Sequence, residues 1–223
     1  FLARLGKELN QFQEHERGGL LCNDRNGKNS LIHLVYEVNS SKNEEHDLLV
    51  DNVMLTQLID IRRMVLFKKE DIQEYGLVLH VCLVIRYFSE RRFRFLVEMD
   101  PSSLLQTYDD NDSALTFAAQ LTYIQGFRVY FEYVIRYYPN KKGIMLLFTK
   151  NNSNRTPFQL ACEKYGRHKV MEIVEDILAR YSEETPLNIV EALVMAADND
   201  NVHLDCSYFL LRREPDALVR LLS

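Results

Sequence analysis

Apolar residues recur along this chain at helical spacing, and polar turns break them into short and long runs. The clearest unit runs from Asn151 to Tyr181. A polar turn there leads into Thr156-Pro157, an N-capping residue followed by proline at the first helical position, where the missing N–H costs nothing. Phe158, Leu160, Ala161 and Cys162 predict a short apolar helix that breaks near Gly166. Val170, Ile173, Val174, Ile177, Leu178 and Tyr181 then step by three and one, predicting a longer helix with one buried face. Such a pair cannot bury its apolar face alone and needs neighbours of the same kind.

The same reading extends over the whole chain. Residues 2–15 predict an amphipathic helix with Leu2, Leu5, Leu9 and Phe12 on one stripe, ended by Gly18-Gly19. Asp24-Arg25-Asn26-Gly27 predicts a turn, residues 29–38 a helix, the polar stretch 40–47 a loop, and residues 48–67 and 72–88 two further helices. In 90–99, Phe93, Leu96 and Val97 face inward, and Arg91, Arg92 and Arg94 face outward. The turn 107–112 precedes a short helix, 113–121. A longer one follows, with Phe127, Tyr130, Phe131, Val134, Ile135 and Tyr138 on its buried face and Arg128, Glu132 and Arg136 toward water. Residues 141–150 bridge to the 151–181 unit. Thr185-Pro186-Leu187 opens a helix through Ala197, and residues 203–214 form the last strong one. The expected core includes Leu79, Leu96, Leu115, Phe131, Val134, Phe158, Leu160, Val174, Leu187 and Leu210.

Two aliphatic residues, three further residues and a proline recur as LVEMDP (96–101), VIRYYP (134–139) and LLRREP (210–215). Their prolines, at 101, 139 and 215, lie 38 and 76 residues apart, a spacing typical of helical solenoids. The Thr-Pro starts at 156 and 185 are 29 apart, so the period is not strict. The pattern predicts an all-α fold: an α-solenoid of stacked antiparallel helix pairs. It comprises N-terminal helices in 1–69 with a degenerate first repeat, and repeats in 70–223, as one continuous domain.

Composition changes this picture little. Over 223 residues, 47% apolar and 26% charged residues are ordinary for a soluble globular protein. A net charge of -5 gives no general attraction to a nucleic-acid backbone or an anionic membrane. The longest apolar run, Leu77 to Ile85, is far shorter than the roughly 20 residues that span a bilayer. Cys22, Cys82, Cys162 and Cys206 are widely separated in apolar helical contexts, which predicts free thiols in a reducing, intracellular compartment, cytoplasmic or nuclear. The chain opens on Phe1 rather than methionine and reads as a trimmed piece whose upstream targeting signals, if any, are out of view.

The stretch from Asn154 to Cys162 resembles the ankyrin-repeat signature G-x-T-P-L-H-x-A-A. Thr156, Pro157 and Ala161 match it, and Phe158 and Cys162 are similar apolar replacements. Gly166 and His168, followed by Val170, resemble its G-H-x-x-V continuation with insertions. Asp24, Gly27 and Leu31 partly match D-x-x-G-x-T-P-L. Ser113-Ala114-Leu115 with Ala118-Ala119 is a fainter echo, and Leu79-His80-Val81-Cys82 fainter still. Asn154 stands where glycine is usual, Gln159 replaces the histidine, and repeat lengths vary. The texture is similar to the divergent ankyrin-like proteins expanded in unicellular algae such as diatoms. The resemblance implies a protein-binding scaffold with no catalytic residues and no cofactor, and a contact surface on the turn tips and short helices. Carried onto this chain, that surface comprises Asp109, Asp110, Asp112, Thr116, Gln120, Asn154, Arg155, Gln159 and Glu163, and its acidic middle favours a partner protein with a basic surface.

A second function class competes. His46-Asp47, with His33 upstream and Asp60 downstream, resembles the metal-binding residues of helical metal-dependent phosphohydrolases. The pair lies in the polar stretch beside Lys42, Glu44 and Glu45, which reads first as a solvated loop. His203-x-x-Cys206 and Cys162-x5-His168 have donors suited to zinc but not the paired spacing of a finger or ribbon. Asp109-Asp110-Asn111-Asp112 lacks the glycine and distal glutamate of an EF-hand loop. No Gly-rich phosphate loop, G-x-S-x-G elbow or H-E-x-x-H occurs.

Overall fold

A computed structural model describes residues 2–36, 44–83, 87–108, 112–121, 123–139, 141–182 and 188–222. Over these residues the protein is all-helical, with two isolated β-bridges, Thr107 to Ser113 and Thr149 to Val202. The chain divides into two compact units, Phe1–Ser103 and Leu104–Ser223. The division expected at 69/70 falls inside the first.

The first unit contains α1 (Leu2–Glu8), α2 (Ser30–Tyr36), α3 (Glu44–Arg63), α4 (Glu70–Glu74), α5 (Leu77–Cys82) and α6 (Glu90–Met99). Helix α2 packs on α3 and α5, and α6 packs on both of those. The core is Leu31, Val35, Leu58, Ile72, Leu77, Val81, Phe93 and Leu96. Several expectations are corrected here. The first helix stops at Glu8 instead of running to 15, because Asn10 turns left-handed at φ 52, and Leu5, Leu9 and Phe12 remain exposed. Residues 44–47 are not loop but the first turn of α3, where Glu45 and Asp47 complement the positive helix end. Residues 40–43 lie outside the described residues. The run 72–88 is broken by Gly76 at φ 56, which separates α4 from α5.

The largest correction concerns Arg92. Helix α6 has the predicted bounds and inward residues, but Arg92 is only 2% exposed. Its Nε donates to Asp51 Oδ1 at 2.6 Å and its Nη1 to the Leu34 carbonyl at 2.8 Å. The Ser89 hydroxyl donates to the same Asp51 oxygen while also capping α6. A buried ion pair with a hydroxyl therefore clasps α6 to α3.

The second unit contains α7 (Ala114–Ala118), α8 (Ile124–Tyr137), α9 (Lys141–Phe148), α10 (Pro157–Tyr165), α11 (Arg167–Ser182), α12 (Ile189–Ala197), α13 (Asp205–Arg213) and α14 (Ala217–Leu222). Short α7 packs on long α8, α10 on α11, and α12 on α13, while α8 packs on α11 and α9 touches α10, α12 and α13. The 141–150 bridge is thus a helix, its Ile144, Leu147 and Phe148 buried. Its Gly143 admits no side chain, since a Cβ would lie 2.2 Å from the Tyr138 carbonyl oxygen. Asn188 caps α12 by accepting from the Glu191 N–H at 3.1 Å; Thr185-Pro186-Leu187 lie outside the described residues. Of the expected core, Leu96, Leu115, Phe131, Val134, Phe158, Val174 and Leu210 are buried, and Leu79 and Leu160 half-buried; Leu187 is not among the described residues.

The proline motif marks a shared helix ending. Helices α6, α8 and α13 end at Asp100, Tyr138 and Glu214, with φ of −140°, −130° and −141° and the N–H bonded four residues back. Proline follows each and forces that extended ending. Within the second unit the correspondence runs at 43 residues rather than 38: Ser113 to Thr156, Leu115 to Phe158, Ala118 to Ala161, Phe131 to Val174 and Val134 to Ile177. Every member of these pairs is buried.

Candidate functional site

Three turns share one construction. The N–H of Asp24, Tyr108 and Asn151 donates to the carbonyl four residues on, at Lys28, Asp112 and Arg155, over 2.8, 2.8 and 3.0 Å. An N-cap follows at once in each. Asn29 accepts from the Ile32 N–H at 3.0 Å, Ser113 from Thr116 at 3.3 Å, and Thr156 from Gln159 at 3.1 Å. Asp24 and Asn151 fold their own turns, the side-chain oxygen accepting from the fifth residue's N–H at 2.9 Å in both. The fourth residue of these two turns is left-handed, Gly27 at φ 75 and Asn154 at φ 59. Asparagine tolerates that region better than other side chains, so Asn154 can take the position that Gly27 holds in the first turn.

Neighbouring turns and short helices are joined by side-chain amides. Asn151 Nδ2 donates to Asp112 Oδ1 at 2.9 Å. Gln159 Oε1 accepts from the Thr156 N–H at 3.2 Å, completing a capping box. Its Nε2 donates to Asp205 Oδ2 at 3.1 Å and lies 3.2 Å from His203 Nε2. On the long helices Glu132 pairs with Arg180 at 3.1 Å, Arg128 with Asp176 at 3.6 Å, and Glu175 with Arg213. The water-facing charges expected on α8 are thus partly spent on α11.

The predicted contact residues are only partly on the surface. Asp109 and Asp110 lie outside the described residues. Thr116 is buried at 3%, its hydroxyl 3.2 Å from that of Ser113. Gln120 and Asn154 are exposed, Arg155 is paired with the exposed Glu163, and Asp112 and Gln159 are half-buried and engaged as described. His203 and Asp205 join this surface through Gln159, a proximity across 44 residues that no local pattern announces.

The candidate catalytic groups do not converge. His46 Nδ1 and Asp47 Oδ1 stand 4.0 Å apart on the first turn of α3, His33 Nε2 is 3.0 Å from Asp24 Oδ2, and Asp60 is met by Arg63 at 3.4 Å. Among the described residues no three His, Cys, Asp or Glu side chains are grouped to hold a metal ion. Backbone N–H donors, Lys28 first, hold the Asp24 carboxyl below its ordinary range. All four thiols are free, and burial pushes Cys162 up to about 11 and Cys206 up to about 12, leaving weak nucleophiles. Among the described residues no helix is long and apolar enough to cross a membrane. The sequence matches no protein-family model, and comparison with curated proteins and with solved structures gave no match.

Proposed function

We propose that this chain is a non-enzymatic protein-interaction scaffold built from degenerate ankyrin-like helix pairs, contacting its partner through turn tips and short helices. The observation that supports this reading is the recurrence of one turn, cap and short-helix construction. It comes with side-chain bonds that tie Asn151 to Asp112 and Gln159 to Asp205. Repeat arrays bind through the loops on one face, because that face is free of the packing that buries the helices. The partner is a protein presenting lysine or arginine to Asp109, Asp110, Asp112 and Asp205, in a reducing intracellular compartment. Rim charges of this kind act mainly on the association rate and are screened by salt.

The test is capture from the native cell with the parent chain and with Asp109→Asn/Asp110→Asn/Asp112→Asn. Asparagine at 112 keeps an oxygen for Asn151, so the thermal midpoint should hold while association slows, most clearly at low salt. A variant that loses stability but binds at the parent rate when folded would reduce these carboxylates to turn caps. Metal analysis of the purified chain guards the other flank: a stoichiometric divalent ion lost in His46→Ala would move the reading to a phosphohydrolase.

A further inference from the structure

The first unit holds an open surface pocket of about 530 Å³ between the segment around Glu14–Glu16 and the segment from Lys68 to Tyr75. Arg17 is its fixed point. The residue is left-handed at φ 50, and its Nη1 donates both to the Leu66 carbonyl at 3.1 Å and to the buried Asp71 carboxylate. Its Nε and Nη2 meet no partner among the described residues, and the side chain, 16% exposed, lines the pocket. A guanidinium edge held this way matches a carboxylate with two parallel hydrogen bonds. Lys68 adds a second cation to the lining, and Glu14 and Glu74 add two anions. A simple anion would meet both glutamates, with Asp71 behind the arginine; a simple cation would meet Arg17 and Lys68. A ligand carrying both signs has partners in both sets, and His15, Leu21 and Tyr75 complete the lining.

We propose that this pocket binds a small amino-carboxylate, its carboxylate on Arg17 and Lys68 and its ammonium on Glu74 and Glu14. The source is a free amino acid or a short peptide with both termini free. The site lies within the first unit and stands independently of the scaffold reading.

The test titrates the full chain with alanine, dialanine, N-acetylalanine, alaninamide and acetate, following backbone amide shifts by NMR. Alanine or dialanine should give saturable shifts confined to residues 14–21 and 68–75, and the tighter of the two identifies the source. Removing either ligand charge should weaken binding about tenfold or more, as for any lost charge-assisted contact. Arg17→Gln risks unfolding by stranding Asp71, so the deciding variants are Lys68→Gln and Glu74→Gln, both at exposed positions. Each should weaken binding about fivefold. No saturation by alanine or dialanine, acetate binding as tightly as alanine, or parent affinity in both variants would overturn the proposal.

Discussion

The two units of this chain bury different things. Beneath the surface of the first lie Asp51, Asp71, Arg92 and Asp100, and the ion pairs Arg92 to Asp51 and Arg17 to Asp71 join residues 41 and 54 positions apart. Among the described residues of the second, the buried polar side chains are hydroxyls, Ser113, Thr116 and Thr156, serving the start of their own helices. Its interior is aromatic instead: the Phe148 ring centroid lies 5.1 Å from that of Phe158 and 5.6 Å from that of Phe209. Apolar packing stabilises in proportion to area removed from water. A buried ion pair adds little net stability, yet breaking it strands a charge. Asp51 Oδ2 and Asp71 Oδ1 already lack hydrogen-bond partners, which leaves the first unit little slack. The buried charges of one unit are paired across long stretches of chain, whereas the buried hydroxyls of the other serve the starts of their own helices.

The sharpest way to break this contrast is to remove one member of the clasp. Arg92→Leu should destabilise by about 3–5 kcal/mol in urea unfolding, the usual cost of an uncompensated buried charge. Adding Asp51→Leu should recover most of the loss; a single variant within about 1 kcal/mol of the parent would show that the clasp does not hold α3 to α6. Phe158→Ala should cost about 3 kcal/mol through the cavity it leaves, with hydrogen-exchange protection falling first in α9, α10 and α13. Thr156→Ala should cost about 1–2 kcal/mol, at the upper end for a lost cap because the residue is fully buried. At Asn154, valine should cost about 1–2 kcal/mol by the left-handed strain, while glycine should be tolerated. If both behave alike, the turn does not depend on that conformation.

The weakest effect is one of pH and belongs to the first unit. Burial holds His80 below its ordinary 6.5, with Lys28 nearby acting in the same sense, while its Nδ1 donates to the Gly76 carbonyl at 3.0 Å. The folded state therefore favours the neutral ring. Stability from this residue is complete above about pH 6.5 and declines as pH falls below it toward the folded value. Comparing unfolding at pH 7.5 and 5.5 should show a loss that His80→Gln reduces.

What the sequence reveals follows the same divide. Helix α10, its N-cap and the inward faces of α8 and α11 are legible because turn chemistry, caps and the 3.6 period are local signals. Arg92 is misjudged for the opposite reason: between Arg91 and Arg94 it looks like part of a solvated face, and Asp51, its reason for being inside, sits 41 residues earlier. Residues 44–47 mimic a loop by polarity, although acidic residues are also what a helix start favours. In the candidate site, the turns are readable from Asp24, Gly27 and Asn151. The burial of Thr116 and the arrival of His203 and Asp205 depend on packing that no window of neighbouring residues contains.

Gln159 uses the two ends of one amide for two tasks, and the consequence is one of order in time. Its oxygen closes the start of α10 within four residues, while its nitrogen reaches 46 residues along the chain to Asp205. Helical turns form in well under a microsecond, far ahead of contacts between distant segments. The cap can aim the amide before the 203–205 segment arrives, so the expected order puts α10 in the folding nucleus and the docking of that segment later. Weakening the cap with Thr156→Ala should slow refolding, whereas Asp205→Ala should leave the refolding rate nearly unchanged and hasten unfolding.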